Sequence, residues 1–180
     1  MRILAISGSL RAASSNTAAL EALGMLAPPG VEVRLYRGLD RLPHFNPDLD
    51  GEQAPATPAA VLELRREVGR CDAIFISSPE YAHGVPGSLK NALDWLVSCA
   101  EFPRKPVALL NTAPRAVHAQ ASLAETLSTM SAQLVQPACV ALPLTGHKLE
   151  VAAIAAQPEF AVVLRGAIAA LIGAARSPAG

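Results

Sequence analysis

Three short apolar runs constrain this chain most: Ile3-Leu4-Ala5-Ile6, Ala73-Ile74-Phe75-Ile76 and Val107-Ala108-Leu109-Leu110. Each is continuous, whereas a strand with one wet face alternates apolar and polar residues. A strand buried on both faces has no such alternation, and strands of that kind belong to parallel sheets covered by helices. Parallel neighbours need a long crossover between them, normally a helix. The segments between the three runs are long enough and carry helical spacing, so the chain reads as a βαβ succession.

The remaining elements follow from local signals. Residues 16–26 form the first helix, stopped by Pro28-Pro29-Gly30. Val31-Glu32-Val33-Arg34-Leu35 alternates and reads as an exposed or edge strand. Tyr36 to Pro55 is a long loop rich in Pro, Asp and Gly, a kind of loop that is usually functional or disordered. Thr57 is the expected N-cap of a helix that has Pro58 at its first position and ends near Gly69. Further helices are expected over 86–100 and 118–134, a fifth strand over 138–142, and a last helix over 151–175, broken near Pro158. Five parallel strands fit an α/β three-layer sandwich with the flavodoxin-like order 2-1-3-4-5, residues 1–180 forming a single domain. In that order the loops after the first and third strands flank one crevice at the carboxyl ends of the strands, where open α/β sheets bind ligands.

Charge excludes several partners. Lys and Arg total 15 and Asp and Glu total 15 in 180 residues, so there is no basic face for nucleic acid and no acidic tail. The neutral balance favours an oligomer. Cys71, Cys99 and Cys139 are odd in number and far apart, which suits a reducing cytoplasm and neither a disulfide framework nor a metal cluster. His44, His83, His118 and His147 are dispersed, so no metal site is expected. The apolar start of the chain is too short for a signal peptide. No span is read as a membrane helix, because Arg165 interrupts residues 161–175 while Gly166 and Gly173 weaken them.

The loop after the first strand, Ser7-Gly8-Ser9-Leu10-Arg11-Ala12-Ala13-Ser14-Ser15-Asn16-Thr17, gathers hydroxyls, an amide and a guanidinium at the start of a helix. Free N–H groups at a helix N-terminus attract anions, and an arginine with hydroxyl donors suits one phosphate monoester. The spacing matches neither the P-loop nor GxGxxG, which argues against ATP chemistry and against NAD held in Rossmann fashion. A simple capped helix is the bland alternative, but a cap needs only one such residue.

The loop after the third strand, Ser78 to Asn91, holds Pro79, Pro86, Gly84 and Gly87. The prolines fix dihedrals and the glycines permit close approach of a ligand. Glu80, Tyr81 and Ala82 are then expected to present backbone N–H groups to a flat heteroaromatic ring. One ring plus one phosphate describes FMN.

The segments Ile6-Ser7-Gly8-Ser9-Leu10-Arg11, Ser14-x-Asn16, Pro79-Glu80-Tyr81 and Pro86-Gly87-x-Leu89-Lys90-Asn91-Ala92-Leu93-Asp94-Trp95 together resemble the NADPH-dependent FMN reductase family, over roughly residues 1–145. The resemblance implies flavodoxin-like flavin, quinone, azo-dye or chromate reductase chemistry. It implies that Ser9, Arg11, Ser14, Asn16 and Thr17, with Ser15 nearby, hold the FMN phosphate. It also implies that Pro79, Glu80, Tyr81 and the backbone through Ala82, His83 and Gly84 frame the ring, with Thr112 in the loop after the fourth strand adding a contact. Ala82 departs from the family, where many members carry Asn. NADPH or NADH is the implied hydride donor and a small-molecule electron acceptor the second substrate, in ping-pong turnover with no catalytic residue beyond the flavin, and a homodimer or homotetramer is the implied assembly. An electron-carrying flavodoxin without a nucleotide site is the alternative reading, and a non-catalytic module for another phosphorylated ring is a third.

Several conspicuous residues have structural readings beside these. Asn91 is expected to pin a loop and Trp95 to pack in the core or at an interface. Glu80 is expected to pair with an arginine, even across a subunit boundary. His83 either tunes the ring or is a solvated loop residue. Arg115 either meets a nicotinamide-nucleotide phosphate or is a plain surface arginine. Leu42 to Asp48 either packs at a dimer interface or covers the flavin edge.

Overall fold

The computed structural model describes residues 1–50, 57–144 and 150–177. The three apolar runs form β1 (Arg2–Ser7), β3 (Ala73–Ser77) and β4 (Pro106–Asn111), and the alternating segment forms β2 (Glu32–Tyr36). They pair in parallel as β2-β1-β3-β4, with β1 in the centre against both β2 and β3. The helices are α1 (Ser15–Met25), α2 (Ala59–Arg70), α3 (Gly87–Leu96), α4 (Val117–Thr129), α5 (Val151–Ala156) and α6 (Pro158–Arg176). The chain therefore has the expected flavodoxin-like order.

Helices cover both faces of the sheet, and the strands divide their side chains between two cores. Leu4, Ile6, Ile74, Ile76, Val107 and Leu109 pack with α2, α3 and α4, around Trp95 and Phe102. Ile3, Ala5, Ala73, Phe75, Ala108 and Leu110 pack with α1, α5 and α6. Alternation thus survives inside the strands, but both faces are apolar and the pattern reads as a run. The residues of β3 are all buried, while β2, at the sheet edge, alternates exposed and half-buried positions up to the buried Tyr36.

Four details differ from the sequence reading. The fifth strand position is split. β5 (Gln133–Leu134) pairs with the start of β4 and β6 (Val140–Ala141) with its end, on either side of a 3-10 turn over Gln136–Ala138. Pro137 in that turn lacks the N–H a ladder needs, and α4 ends before the residues expected to be its last turn. Pro58 and Pro86, not Thr57 and the helix interior, occupy the cap positions of α2 and α3, and neither cap has a side-chain hydrogen bond. α3 ends at Leu96, short of the expected boundary. Finally, α6 is 19 residues long with mean hydropathy 1.6, enough by length and composition to cross a membrane. Here its inner stripe, Leu164, Ala167, Ile168 and Leu171, lies buried in the second core. The break before Pro158 stands as expected. His147 and the end of the long loop, residues 51–56, lie outside the described residues.

The described part of the long loop is tied down within the chain. The Pro43 carbonyl accepts from Asn91 Nδ2 at 2.9 Å and from Trp95 Nε1 at 2.8 Å, and Phe45 N donates to Asn91 Oδ1 at 2.7 Å. The Phe45 ring meets Trp95 edge-on at 5.0 Å. Further along, Arg65 pairs with Asp50 at 2.7 Å, largely out of solvent. Asn91 and Trp95 therefore have the structural roles read for them.

Candidate functional site

Ser7, Ser14, Asn16, Ser77, Ser78 and Thr112 are the buried polar side chains among the described residues. Ser7, Ser77, Ser78 and Thr112 sit at the carboxyl ends of β1, β3 and β4, and Ser14 and Asn16 at the start of α1 beside them. Buried polar groups are the informative exceptions to core packing, so their convergence marks the place where this fold is spent on something other than stability.

Two close approaches build the floor. Gly8 N donates to the Ser77 carbonyl at 2.8 Å, prolonging the contact of β1 with β3 by one residue. A Cβ on Gly8 would stand 2.9 Å from Ser78 Oγ and 3.0 Å from Leu89 Cδ2, so only glycine lets the first loop lie on the second. The Asn16 carboxamide then joins three elements. Ser77 Oγ lies 2.9 Å from Asn16 Oδ1 and 2.7 Å from the Leu110 carbonyl, and Thr112 Oγ1 donates to the same Asn16 oxygen at 3.1 Å. The side chains of Asn16 and Thr112 are thus turned inward.

Above this floor is the start of α1. Ser14 is its N-cap, its hydroxyl accepting from Thr17 N at 3.3 Å. The backbone N–H groups of Ser15 and Asn16 find no acceptor among the described residues, as expected at a helix N-terminus. Ser9 Oγ accepts from Arg11 N and Ser7 Oγ from Ser9 N, which curls the loop. Thr17 Oγ1 donates to Ser7 Oγ at 2.8 Å.

A cleft of about 380 Å³ opens over these groups. Ser9, Arg11, Ser14, Ser15 and Asn16 form one side, Pro79, Glu80 and Tyr81 the second, and Thr112 the third. Ala13, Ala113, Arg115 and Ala116 complete the lining, and of these only Arg115 was singled out in the sequence. Thr17 faces a separate cleft behind the loop. Ala82, His83 and Gly84 form the turn beside the cleft and do not line it.

That turn corrects two expectations. The reciprocal bonds Tyr81 N to Gly84 O, 3.1 Å, and Gly84 N to Tyr81 O, 2.9 Å, close it. Its central residues are Ala82, φ +48°, and His83, φ +59°, both left-handed, which makes it a type I′ turn. The unusual backbone therefore falls on Ala82 and His83 rather than on Gly84 or Gly87. A Cβ on Gly84 meets nothing closer than 3.6 Å and one on Gly87 meets nothing within 4 Å. The Tyr81 N–H is spent inside the turn, which leaves that of Glu80 for a ligand.

Among the described residues of one chain, Glu80 is paired with a backbone N–H and not with an arginine. Its Oε2 accepts from Ala119 N at 2.8 Å, at the first turn of α4. The His83 and His118 rings stack with centroids 4.2 Å apart, tying the same two elements together. Burial pushes the Cys71 thiol up to about 11 and raises those of Cys99 and Cys139, so none of the three is an activated nucleophile. Among the described residues no group of three or more His, Cys, Asp or Glu is arranged to hold a metal ion.

The family model described as NADPH-dependent FMN reductase matches residues 1–146. The chain belongs to that family. It is 41% identical over 113 residues to an NAD(P)H-dependent FMN reductase of Pseudomonas aeruginosa, a match covering 61% of this chain and 58% of the relative. It is 34% identical over 108 residues to a quinone reductase of Escherichia coli K12, covering 60% and 55%. The matched segment thus spans a little over half the length of these curated relatives. Among solved structures, FerB, a flavoenzyme NAD(P)H:(acceptor) oxidoreductase from Paracoccus denitrificans, superposes with a TM-score of 0.76 at 28% identity, covering 98% of both chains.

Proposed function

We propose that the chain is an FMN-dependent NAD(P)H oxidoreductase that reduces a small acceptor such as a flavin or quinone. The single observation that carries this reading is the convergence of a phosphate-type cradle and a rigid ring-side frame on one cleft. The residues present fit FMN. The unbonded N–H groups of Ser15 and Asn16, the Ser9 and Ser15 hydroxyls and the Arg11 guanidinium are a donor set for one phosphate monoester. Pro79, Glu80, Tyr81 and Thr112 line the side where a ring would lie, beside the turn through Ala82, His83 and Gly84.

FMN, when bound, supplies the hydride-accepting and electron-donating chemistry. The protein's share is placement. Gly8 and Asn16 fix the loops, Arg11 and the α1 N-terminus hold the anionic end, and the unbonded N–H of Glu80 presents a donor to ring acceptors. The Glu80 carboxylate is held by α4 through Oε2, and hydride chemistry carried by a flavin needs no protein base. The wide opening of the cleft supports alternating use by a nucleotide and then an acceptor. The whole chain is read as one domain. The neutral charge and exposed Leu62, Val97 and Val162 support a homo-oligomer, and three unpaired cysteines suit the cytoplasm.

Steady-state oxidation of NADPH and NADH by FMN-loaded protein, against flavin, quinone, azo-dye and chromate acceptors, tests the reading. Turnover with at least one acceptor is expected. A protein that binds FMN but passes electrons only from a partner reductase is the flavodoxin alternative, and that result rejects the proposal.

A further inference from the structure

Behind the first loop lies a second cleft, of about 260 Å³, between residues 9–12 and the end of β2 at residues 35–40. Ser9 and Arg11 line both clefts, so the two hollows share one wall. We propose that this second cleft seats the adenosine 2′-phosphate end of NADPH, with Arg37 reading the phosphate. The inference rests on the reading that a nicotinamide nucleotide is the hydride donor.

Four observations support it. Leu10 is 58% exposed on the tip of the loop, an apolar surface that suits the face of a flat base. Tyr36 lines the cleft at only 8% exposure, and its hydroxyl has no hydrogen-bond partner among the described residues. Burial, with Glu63 nearby, pushes its pKa up to about 12, so the phenol remains a neutral donor. No buried side-chain N or O atom among the described residues lacks a partner, so this hydroxyl reaches solvent through the cleft and is free to donate to a ligand. Among the described residues Arg37 is held only by an exposed pair with Glu21, and such pairs are weak enough for a dianionic phosphate to displace. Asp40, also on the cleft, makes no ion pair among the described residues and can accept from the 3′-hydroxyl, the one ribose hydroxyl a 2′-phosphate leaves free.

Position gives the same answer. In the Rossmann branch of the doubly wound sheets a residue beyond the first crossover reads the adenosine ribose, an acid taking the 2′-hydroxyl and an arginine the 2′-phosphate, and the comparison here is of position alone. Arg37 directly follows β2, beside the first strand-to-helix loop. The chain lacks the glycine fingerprint that holds a pyrophosphate in such folds, and here the first loop is assigned to the phosphate of FMN. Arg11, facing both clefts, is placed where the dinucleotide would cross from one to the other.

The test compares wild type with Arg37→Ala and Arg37→Lys, all loaded with FMN so that the phosphate cradle is filled. Adenosine 2′,5′-bisphosphate and 5′-AMP are titrated calorimetrically, and KM is measured for NADPH and NADH. The expected result is bisphosphate binding that Arg37→Ala weakens about tenfold or more, the scale of a lost charged hydrogen bond. A matching rise in KM for NADPH alone is expected, with partial recovery in Arg37→Lys and unchanged FMN affinity. Bisphosphate that fails to bind wild type, or binds Arg37→Ala equally well, overturns the inference. If wild type oxidises neither nucleotide, the oxidoreductase reading fails, and the titration still decides whether this cleft takes an adenosine 2′-phosphate.

Discussion

The Glu80 carboxylate accepts a 2.8 Å hydrogen bond from Ala119 N, so α4 is capped by a residue from another loop. Its own cap position, Ala116, has no side chain able to do this. One carboxylate therefore satisfies a helix end and fixes the loop beside the cleft against the loop after β4. Replacing Glu80 with Ala should cost about 0.5–2 kcal/mol, the range for a lost N-cap. Glu80→Gln keeps an acceptor and should retain most of that stability. Urea denaturation of both variants checks the difference.

Ala82 sits at φ +48°, a conformation that Asn and Gly adopt far more readily than Ala. Ala82→Asn should stabilise the chain by less than the roughly 1–2 kcal/mol a left-handed Cβ costs, because Asn keeps the Cβ and gains only a local side-chain hydrogen bond. It should do so without moving the turn, as judged by a raised thermal midpoint and unaltered FMN affinity.

Asn16 joins α1, β3 and the loop after β4 through one carboxamide. Asn16→Ala leaves the Thr112 hydroxyl buried without its partner and should destabilise by about 1–3 kcal/mol. Because the cradle and the ring side are linked through this group, FMN affinity should fall in parallel. Equilibrium unfolding and fluorescence titration of FMN read the two effects separately.

Tyr36 is pushed up to about 12 and Cys71 to about 11, chiefly by burial. The unfolded chain loses these protons at lower pH than the folded chain does. The folded state thus binds more protons across that window, and stability falls as pH rises. Their contribution should be intact below about pH 9 and lost progressively to about pH 12. Urea midpoints through this range check it, and Tyr36→Phe should flatten the upper part of the decline.

The sheet was legible because burial on both faces erases alternation, and the two site loops were legible because their residue types exceed what a connector needs. What was hidden depends on distant or sparse information. β5 and β6 hold two residues each, too few for a period to show. The partner of Glu80 is 39 residues away and is a backbone N–H, which no side-chain pattern reveals. Residue type pointed to Gly84 and Gly87 as the special backbone positions, whereas closure of the turn puts the strain on Ala82 and His83. Asn16 reads from sequence as a phosphate contact, yet the convergence of three strand ends turns its side chain inward. Gly8 stood in the motif all along, but its need for hydrogen in place of Cβ emerges only when Ser78 and Leu89 lie against it.

The central claim is that this one cleft binds FMN and lets a nicotinamide nucleotide reduce it directly. Anaerobic stopped-flow mixing of FMN-loaded protein with NADPH, no other protein present, tests it most directly. The account predicts rapid, complete loss of the oxidised-flavin absorbance, and its return when a quinone is added. Flavin absorbance that persists under excess NADPH and excess NADH would contradict it.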